Sequence, residues 1–346
     1  MQALTKTARE KGALSLVEHD RPSPGPNEAL VRVDYAGLCG SDAGIYKWKS
    51  AFYRMDLPTI IGHEYTGEVL EVGDNVKELS VGDRVVERPI RSCGECYQCR
   101  AVAESVCRES SITGVDHDGA FAGYIAVPAH QLQSVPDDVS PREAAMVEPI
   151  SIGTRAVTVN SRVRAGDDVL VEGPGPIGQF TAAVARAQGG NVVISGVEPD
   201  TSYRLPLAED RGFQTVNVQD ESPESIRETY TRNDGFDVVF DTSGHPSGLE
   251  MAVDLTRKGG QIVLIGQTGE TTMPYSPLVR AELDVQCSYG ASWGDFDRTL
   301  ALLETGSVDP TPVMDDRYSL HDADQAFEDF LAGETCKPVF DLSELR

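Results

Sequence analysis

The sequence predicts an α/β protein of two units, a β-rich one followed by a parallel sheet with helices, and three observations carry that prediction. A chain of 346 residues with 40% hydrophobic content, 33 Gly and 20 Pro is long enough for two packed cores. Through roughly the first 110 residues, short β-type runs alternate with turn signals and helical periodicity is scarce. From Val169 onward, strands alternate with helical stretches, which is the pattern of βαβ units.

In the first stretch the β-type runs are Ala29 to Tyr35, Ile60 to Val72 broken by glycines, and Arg84 to Arg88 after the turn at Val81-Gly82-Asp83. The second stretch opens with a strand at Val169 to Glu172, a helix at Gln179 to Gln188 and a strand at Val192 to Ser195. It continues with a strand at Asp237 to Asp241, a helix at Leu249 to Leu255 and a strand at Gln261 to Ile265. Past about Asp284 the alternation stops, and Phe296 to Glu304 and Ala323 to Leu331 read as amphipathic helices. There is no internal repeat and no low-complexity tract.

Charge narrows the function classes. The chain carries 55 acidic and 30 basic side chains, a formal charge of −25. A general binder of nucleic acid or of an anionic membrane needs the opposite balance, because neutralising phosphate takes clustered Lys and Arg. The carboxylates are 29 Asp and 26 Glu against 23 Arg and only 7 Lys. Short, strongly hydrated carboxylates in place of long ammonium side chains are expected of a halophilic protein that stays soluble at high salt. An ordinary acidic surface is the plainer alternative. No run approaches about 18 apolar residues, and Met1 to Glu18 lacks a basic flank followed by an apolar block. The expectation is a cytoplasmic protein with neither membrane nor nucleic-acid partners.

At the first βα junction the sequence reads Val169-Leu-Val-Glu-Gly173-Pro-Gly175-Pro176-Ile177-Gly178, a G-x-G-x-x-G between an apolar strand and a helix. The first glycine permits the tight turn, the second lets the backbone approach a pyrophosphate, and the third allows close helix packing. Amides at the helix start then hold a diphosphate without a lysine. Glu198 lies 20 residues beyond Gly178, just past the next strand, where a carboxylate can accept the ribose hydroxyls of NAD. Arg204 is near enough to serve the 2′-phosphate of NADP instead, so both cofactors stay open. Glu198 and Asp200 as plain loop carboxylates form the other alternative.

Seven cysteines, an odd number, do not suggest a disulfide scaffold. Cys93, Cys96 and Cys99, then seven residues to Cys107, place four thiolates in one 15-residue loop. Four sulfurs with no open position describe a closed tetrahedral structural zinc site, and the spacing fits iron–sulfur runs less well. A second set is dispersed: Cys39 in Leu-Cys-Gly-Ser41-Asp42, His63 and Glu64 in Gly62-His-Glu-Tyr-Thr-Gly67, and Glu148 before Pro149. Singly these read as a small buried cysteine, a core histidine and a carboxylate before a turn proline. Beside a dinucleotide site they suggest a catalytic zinc with one position open for a substrate oxygen.

With these motifs in this order the chain resembles the zinc-dependent medium-chain alcohol and polyol dehydrogenases, most closely their sorbitol and sugar dehydrogenase branch. The likeness extends over essentially the whole chain and rests on Gly62 to Gly67 with Gly73 and Val76, on Cys93 to Cys107, on Gly173 to Gly178 and on Glu148-Pro149. It implies a GroES-like catalytic domain over residues 1–151, completed by 285–346, and a Rossmann doubly wound parallel-sheet domain over 152–284 with the active site in the cleft. It further implies that Cys39, His63 and Glu148 or Glu64 hold the catalytic zinc, that Ser41 passes on the alcohol proton, and that the protein is a homodimer or homotetramer. The expected reaction is hydride transfer from a polyol or sugar hydroxyl to NAD or NADP. An L-threonine-type or simple secondary-alcohol dehydrogenase is the alternative within enzymes, and a non-catalytic nucleotide-binding protein is the alternative outside them. Three positions depart from the family pattern: Gly44 where a relay histidine is common, Val102 where the thiol loop often has glycine, and Trp293 near the place of a substrate-binding arginine.

Overall fold

The computed structural model describes residues 1–345 apart from Asn233, Thr268 and Pro274. The chain divides into two units, Met1–Glu148 with Ala291–Glu304 and Met314–Arg346, and Pro149–Gly290 with Thr305–Val313.

The first unit is built on an antiparallel sheet whose longest strand, Glu28–Gly37, alternates β-branched and polar residues as a half-buried strand should. One edge of that strand pairs with Glu64–Val72, which continues through Arg84–Glu87 to Leu132–Ser134. Its other edge is shared: Tyr124–Pro128 takes Glu28 to Arg32, and the C-terminal strand Lys337–Asp341 takes Tyr35 to Gly37. A smaller sheet joins Gln2–Lys6 to Leu14–Glu18 and to Thr59–Ile60. Val31, Val33, Val69, Val85, Ile125 and Val127 fill the core, and Phe121 meets the Phe340 ring edge-on at 5.3 Å. Burying each such side chain is worth about 1.5–3 kcal/mol. The register has one local result that matters below. Gly37 lies opposite Glu64 on one neighbour and opposite Val339 on the other, so three strands remote in sequence converge two residues before Cys39.

The second unit holds six parallel strands in the order Gln214–Asn217, Asn191–Gly196, Asp168–Glu172, Phe236–Asp241, Thr256–Leu264 and Asp284–Cys287. Numbered along the chain this is 3-2-1-4-5-6, the doubly wound arrangement, and the expected fold class holds. The two central strands are buried along their whole length, as strands covered on both faces must be. Two of this unit's strands lie outside the sequence reading, as do the helices Val147–Thr158, Arg204–Asp210, Pro223–Tyr230 and Tyr275–Arg280. Asp284–Cys287 continues the sheet where the alternation was read as ending; it is an edge strand with only Val285 half-buried, so it carries no apolar run. Gln214–Asn217, between the helices Arg204–Asp210 and Pro223–Tyr230, is a second short edge strand with the same weak signal. Among the described residues no helix is long and apolar enough to cross a membrane.

Candidate metal and nucleotide sites

Cys39 is the N-cap of the short helix Gly40–Tyr46, which places its thiol where the Glu28–Gly37 strand ends. His63 follows Gly62, whose φ of +92° turns the chain into the strand Glu64–Val72. A Cβ on Gly62 would sit 2.5 Å from the Phe121 ring, so conformation and space both require glycine there. The Cys39 Sγ, a His63 ring nitrogen and a Glu64 carboxylate oxygen all lie within 4.8 Å of one another, with His63 and Glu64 buried. Ser41 Oγ stands 3.3 Å from His63 Nε2. Asp42 serves both ligand-bearing segments, since one oxygen accepts the Cys39 N–H at 3.0 Å and the other faces His63 Nδ1 at 3.6 Å. A carboxylate behind a histidine fixes its tautomer and leaves the opposite nitrogen for a metal.

The electrostatics of this cluster suit a cation. Burial first, and the Glu64 charge second, push the Cys39 thiol up, and a dication beside it would reverse that. Among the described residues Glu64 Oε1 is buried with no hydrogen-bond partner, whereas His63 Nδ1 and Asp42 Oδ1, also without one by distance, face each other at 3.6 Å. Such groups are costly unless something completes them. Glu148 lies outside the group whose donor atoms meet within 4.8 Å. It is still close enough to feel it, because burial and then the Glu64 charge raise its carboxyl to about 7. Pro149 is not a turn proline: it sits in the first turn of the helix Val147–Thr158, where the missing N–H costs nothing. Lys337 is the residue that the sequence reading missed. Its ammonium pairs with Glu64 Oε2, donates to the Leu38 carbonyl at 2.9 Å, and is 1% exposed, as is Glu64. The available signal was a lysine heading a strand of otherwise core-type residues in a chain with seven lysines.

The four thiols of the 93–107 loop form a different kind of cluster. Sulfur pairs are separated by 3.4 Å for Cys96–Cys99, 3.6 Å for Cys93–Cys107, 3.9 Å for Cys96–Cys107 and 4.0 Å for Cys93–Cys99. Tetrahedral zinc with ordinary Zn–S bonds requires about 3.8 Å, so these residues fit that ion. Backbone N–H groups of Cys93, Cys96 and Glu109 point at the sulfurs at 3.3–3.4 Å and favour thiolates.

In the second unit, Gly173 has φ +94° and a Cβ there would reach 2.8 Å from the Ser243 Cα, while one on Gly178 would reach 1.9 Å from the Gly173 carbonyl. A Cβ on Gly175 would meet nothing within 4 Å. The outer glycines therefore close the turn and the middle one keeps open space over the N-terminus of the helix Pro176–Ala187, the cradle a diphosphate needs. Pro176 and Ile177 form the first helical positions there. Glu198 is exposed just after the strand Asn191–Gly196, its N–H donating to Gln219 at 2.9 Å. Asp200 is committed locally, capping Val197 N–H at 3.1 Å. Arg204 opens the next helix, half-buried, with its carbonyl held by Gln179.

Each family departure has a local physical setting. A Cβ on Gly44 would lie 2.5 Å from the Phe52 ring, so an aromatic side chain fills the space beside that position. Val102 has φ −126°, which any residue adopts, so no glycine is required there. The Trp293 ring carries the Arg88 guanidinium at 4.1 Å. It lines a cavity of about 610 Å³ with Arg88, Glu104, His130 and Asp297, and neither Cys39, His63, Glu64 nor Glu148 is among its walls.

Comparison with known proteins places these features in a context. Residues 25–137 match the model of the alcohol dehydrogenase GroES-like domain, and residues 176–305 match that of the zinc-binding dehydrogenases. An L-threonine 3-dehydrogenase of Shewanella sp. (strain ANA-3) is 34% identical over 98% of this chain and 99% of its own. An Escherichia coli CFT073 alcohol dehydrogenase solved with NADH superposes with a TM-score of 0.89 at 29% identity, covering 99% of both chains. The L-idonate 5-dehydrogenase of Escherichia coli K-12 gives 0.86 at 25% identity, over 98% of this chain and 97% of that one.

Proposed function

The chain belongs to the zinc-dependent medium-chain alcohol dehydrogenases, which use NAD or NADP, and on that premise we propose that it oxidises a hydroxyl of a polyol or sugar. The observation that carries the site reading is the meeting of the Cys39, His63 and Glu64 donor atoms within 4.8 Å of one another, with one oxygen of the buried Glu64 carboxylate left without a hydrogen-bond partner among the described residues. When bound, zinc supplies the Lewis acidity that acidifies a substrate hydroxyl, and nicotinamide supplies the hydride acceptor.

The chain's own residues supply the rest. Cys39 and His63 hold the metal with Glu64 or Glu148 as third protein ligand, and Asp42 fixes the His63 ring. Ser41, next to His63, receives the substrate proton. The turn from Gly173 to Gly178 holds the dinucleotide diphosphate, Glu198 takes the adenosine ribose, and Arg204 is the residue that would favour a 2′-phosphate. The loop from Cys93 to Cys107 holds the structural zinc and takes no part in the chemistry.

L-threonine is the second reading, favoured by the 34% identical relative of that specificity. Both readings describe oxidation at a polar, hydroxyl-bearing carbon. Initial rates on sugars, polyols, L-threonine and simple alcohols, with each cofactor, separate them. Highest kcat/KM on a sugar or polyol is the expected result, and a preference for L-threonine reverses the choice. The proposal includes a high-salt setting, for which the excess of 55 acidic over 30 basic residues is the support, and a cytoplasmic homodimer or homotetramer, for which membership of the family is the support. Undiminished activity and stability in salt-free buffer would remove the salt adaptation, and light scattering reads the assembly.

A further inference from the structure

The Lys337 ammonium sits where nothing in the sequence motifs calls for a cation. It is fully enclosed and joined on one side to Glu64 Oε2 and on the other to the carbonyl of Leu38. Leu38 directly precedes Cys39, so a single side chain from the C-terminal strand cross-links the two segments that carry candidate metal ligands. The strand register delivers it there, because Val339 pairs with Gly37 and Gly37 pairs with Glu64. Gly37 is the concession that makes room: a Cβ on it would lie 2.9 Å from Glu64 Oε2 and 3.1 Å from Lys337 Cε. Net stability is a weak reason for such a pair, since removing both charges from water offsets most of their attraction. Its effect is to be sought at Glu64. Of the two Glu64 oxygens, Oε2 is bound by Lys337 and Oε1 is buried without a partner among the described residues, and the carboxylate as a whole stands at the group with Cys39 and His63, one of its oxygens within 4.8 Å of their donor atoms.

We propose that Lys337 is a positioning residue that tethers Glu64 through one oxygen, so that only the other can reach the metal and a coordination position stays free for the substrate. The inference rests on the reading of Cys39, His63 and Glu64 as a metal site. A carboxylate left free beside a dication can bind through both oxygens, which raises the coordination number and closes the open position.

The test replaces the metal with Co²⁺ in the full-length protein and reads its visible absorption and dissociation constant in the parent, Lys337→Met, Lys337→Gln and Lys337→Arg. With Glu64 released, Lys337→Met is expected to weaken the tetrahedral cobalt bands about twofold or more, as higher coordination does. Its Co²⁺ affinity should shift by about tenfold or more, as expected for a supporting contact of a metal ligand. Lys337→Arg should restore the parent spectrum, because it keeps a charged donor to both oxygens. If Lys337→Met does not fold, Lys337→Gln is read in its place: its amide is one atom shorter and uncharged, so the hold on Glu64 loosens and the same changes are expected at smaller size. Unchanged bands and unchanged affinity in a folded variant would overturn the proposal, and so would equal changes when Lys337→Met is made in a Glu64→Gln background. Failure of the metal reading looks different: the parent and Cys39→Ala would then bind Co²⁺ identically.

Discussion

The two cysteine-containing clusters of the first unit solve opposite problems. The loop of Cys93, Cys96, Cys99 and Cys107 draws all its ligands from one short, partly exposed segment, with sulfurs already near tetrahedral spacing and backbone N–H groups turned toward them. The group of Cys39, His63 and Glu64 is assembled from separate strands, mixes three donor types, and is backed by Asp42 and Lys337. A saturated site needs only its own loop. A site that must keep one position open has to be held from outside, because its ligands do not balance each other's charge and geometry. The difference teaches that the cluster proposed to keep an open position is set apart less by its ligands than by the enclosed Asp42 and Lys337 behind them.

The largest expected effect breaks the comparison if it fails. His63→Ala should lower kcat by about a thousandfold or more, since the metal contributes several kcal/mol to the transition state, with the four-thiol zinc retained by elemental analysis. Cys96→Ser should do the reverse, with one zinc per chain lost by elemental analysis, a Tm lower by several degrees, and near-parent kcat in the fraction that stays folded. If both variants lost activity and stability alike, the division of labour would be wrong. Asp42→Asn comes next: it keeps the size of the side chain but weakens its hold on His63, and should cost about 10–100-fold in metal affinity by competition with a chelator. Glu198→Ala should weaken NAD by about tenfold and shift the cofactor ratio toward NADP, read by fluorescence titration, as loss of a charged hydrogen-bonding group predicts.

The smallest effect sharpens the point about enclosed charge. Glu64 has a cation beside it, whereas Glu172, equally enclosed at the end of the central strand of the second unit, has Asp241 on the neighbouring strand. Burial, then the Asp241 charge, holds the Glu172 carboxyl well above the usual carboxylate range. At about pH 4 and below, native and unfolded chains both keep that proton and nothing is lost. As pH rises, the unfolded chain releases it while the native chain must retain it, so the parent loses stability across that window. Glu172→Gln does not titrate, and should raise Tm by a few degrees at about pH 8 and hardly at all at about pH 4, by calorimetry. An equal shift at both values would mean that the Glu172 carboxyl is not held above its ordinary range.

Legibility in the sequence followed the locality of each feature. The thiol loop and the glycine turn were readable because their spacing is the site, and the long buried strands were readable because both faces need apolar residues. Cys39, His63, Glu64 and Glu148 were readable only as a set, each having an ordinary reading alone. Lys337 was not readable, since its role depends on which strand lies beside Gly37, a register fixed by the packing of the whole sheet. The edge strands Gln214–Asn217 and Asp284–Cys287 escaped for the converse reason: their hydrogen bonds come from a neighbour, while their side chains show little of the apolar pattern that marks a strand.

The ring of Phe52 packed against Gly44 has a consequence for how such a site can change over evolutionary time. Introducing histidine at 44 alone would drive its Cβ into that ring, and trimming Phe52 alone would open a void beside the helix that carries Ser41, so each single step is a loss and only the pair is tolerable. A library that varies position 44 by itself would therefore report histidine there as harmful, whereas one that varies 44 and 52 together would give it room.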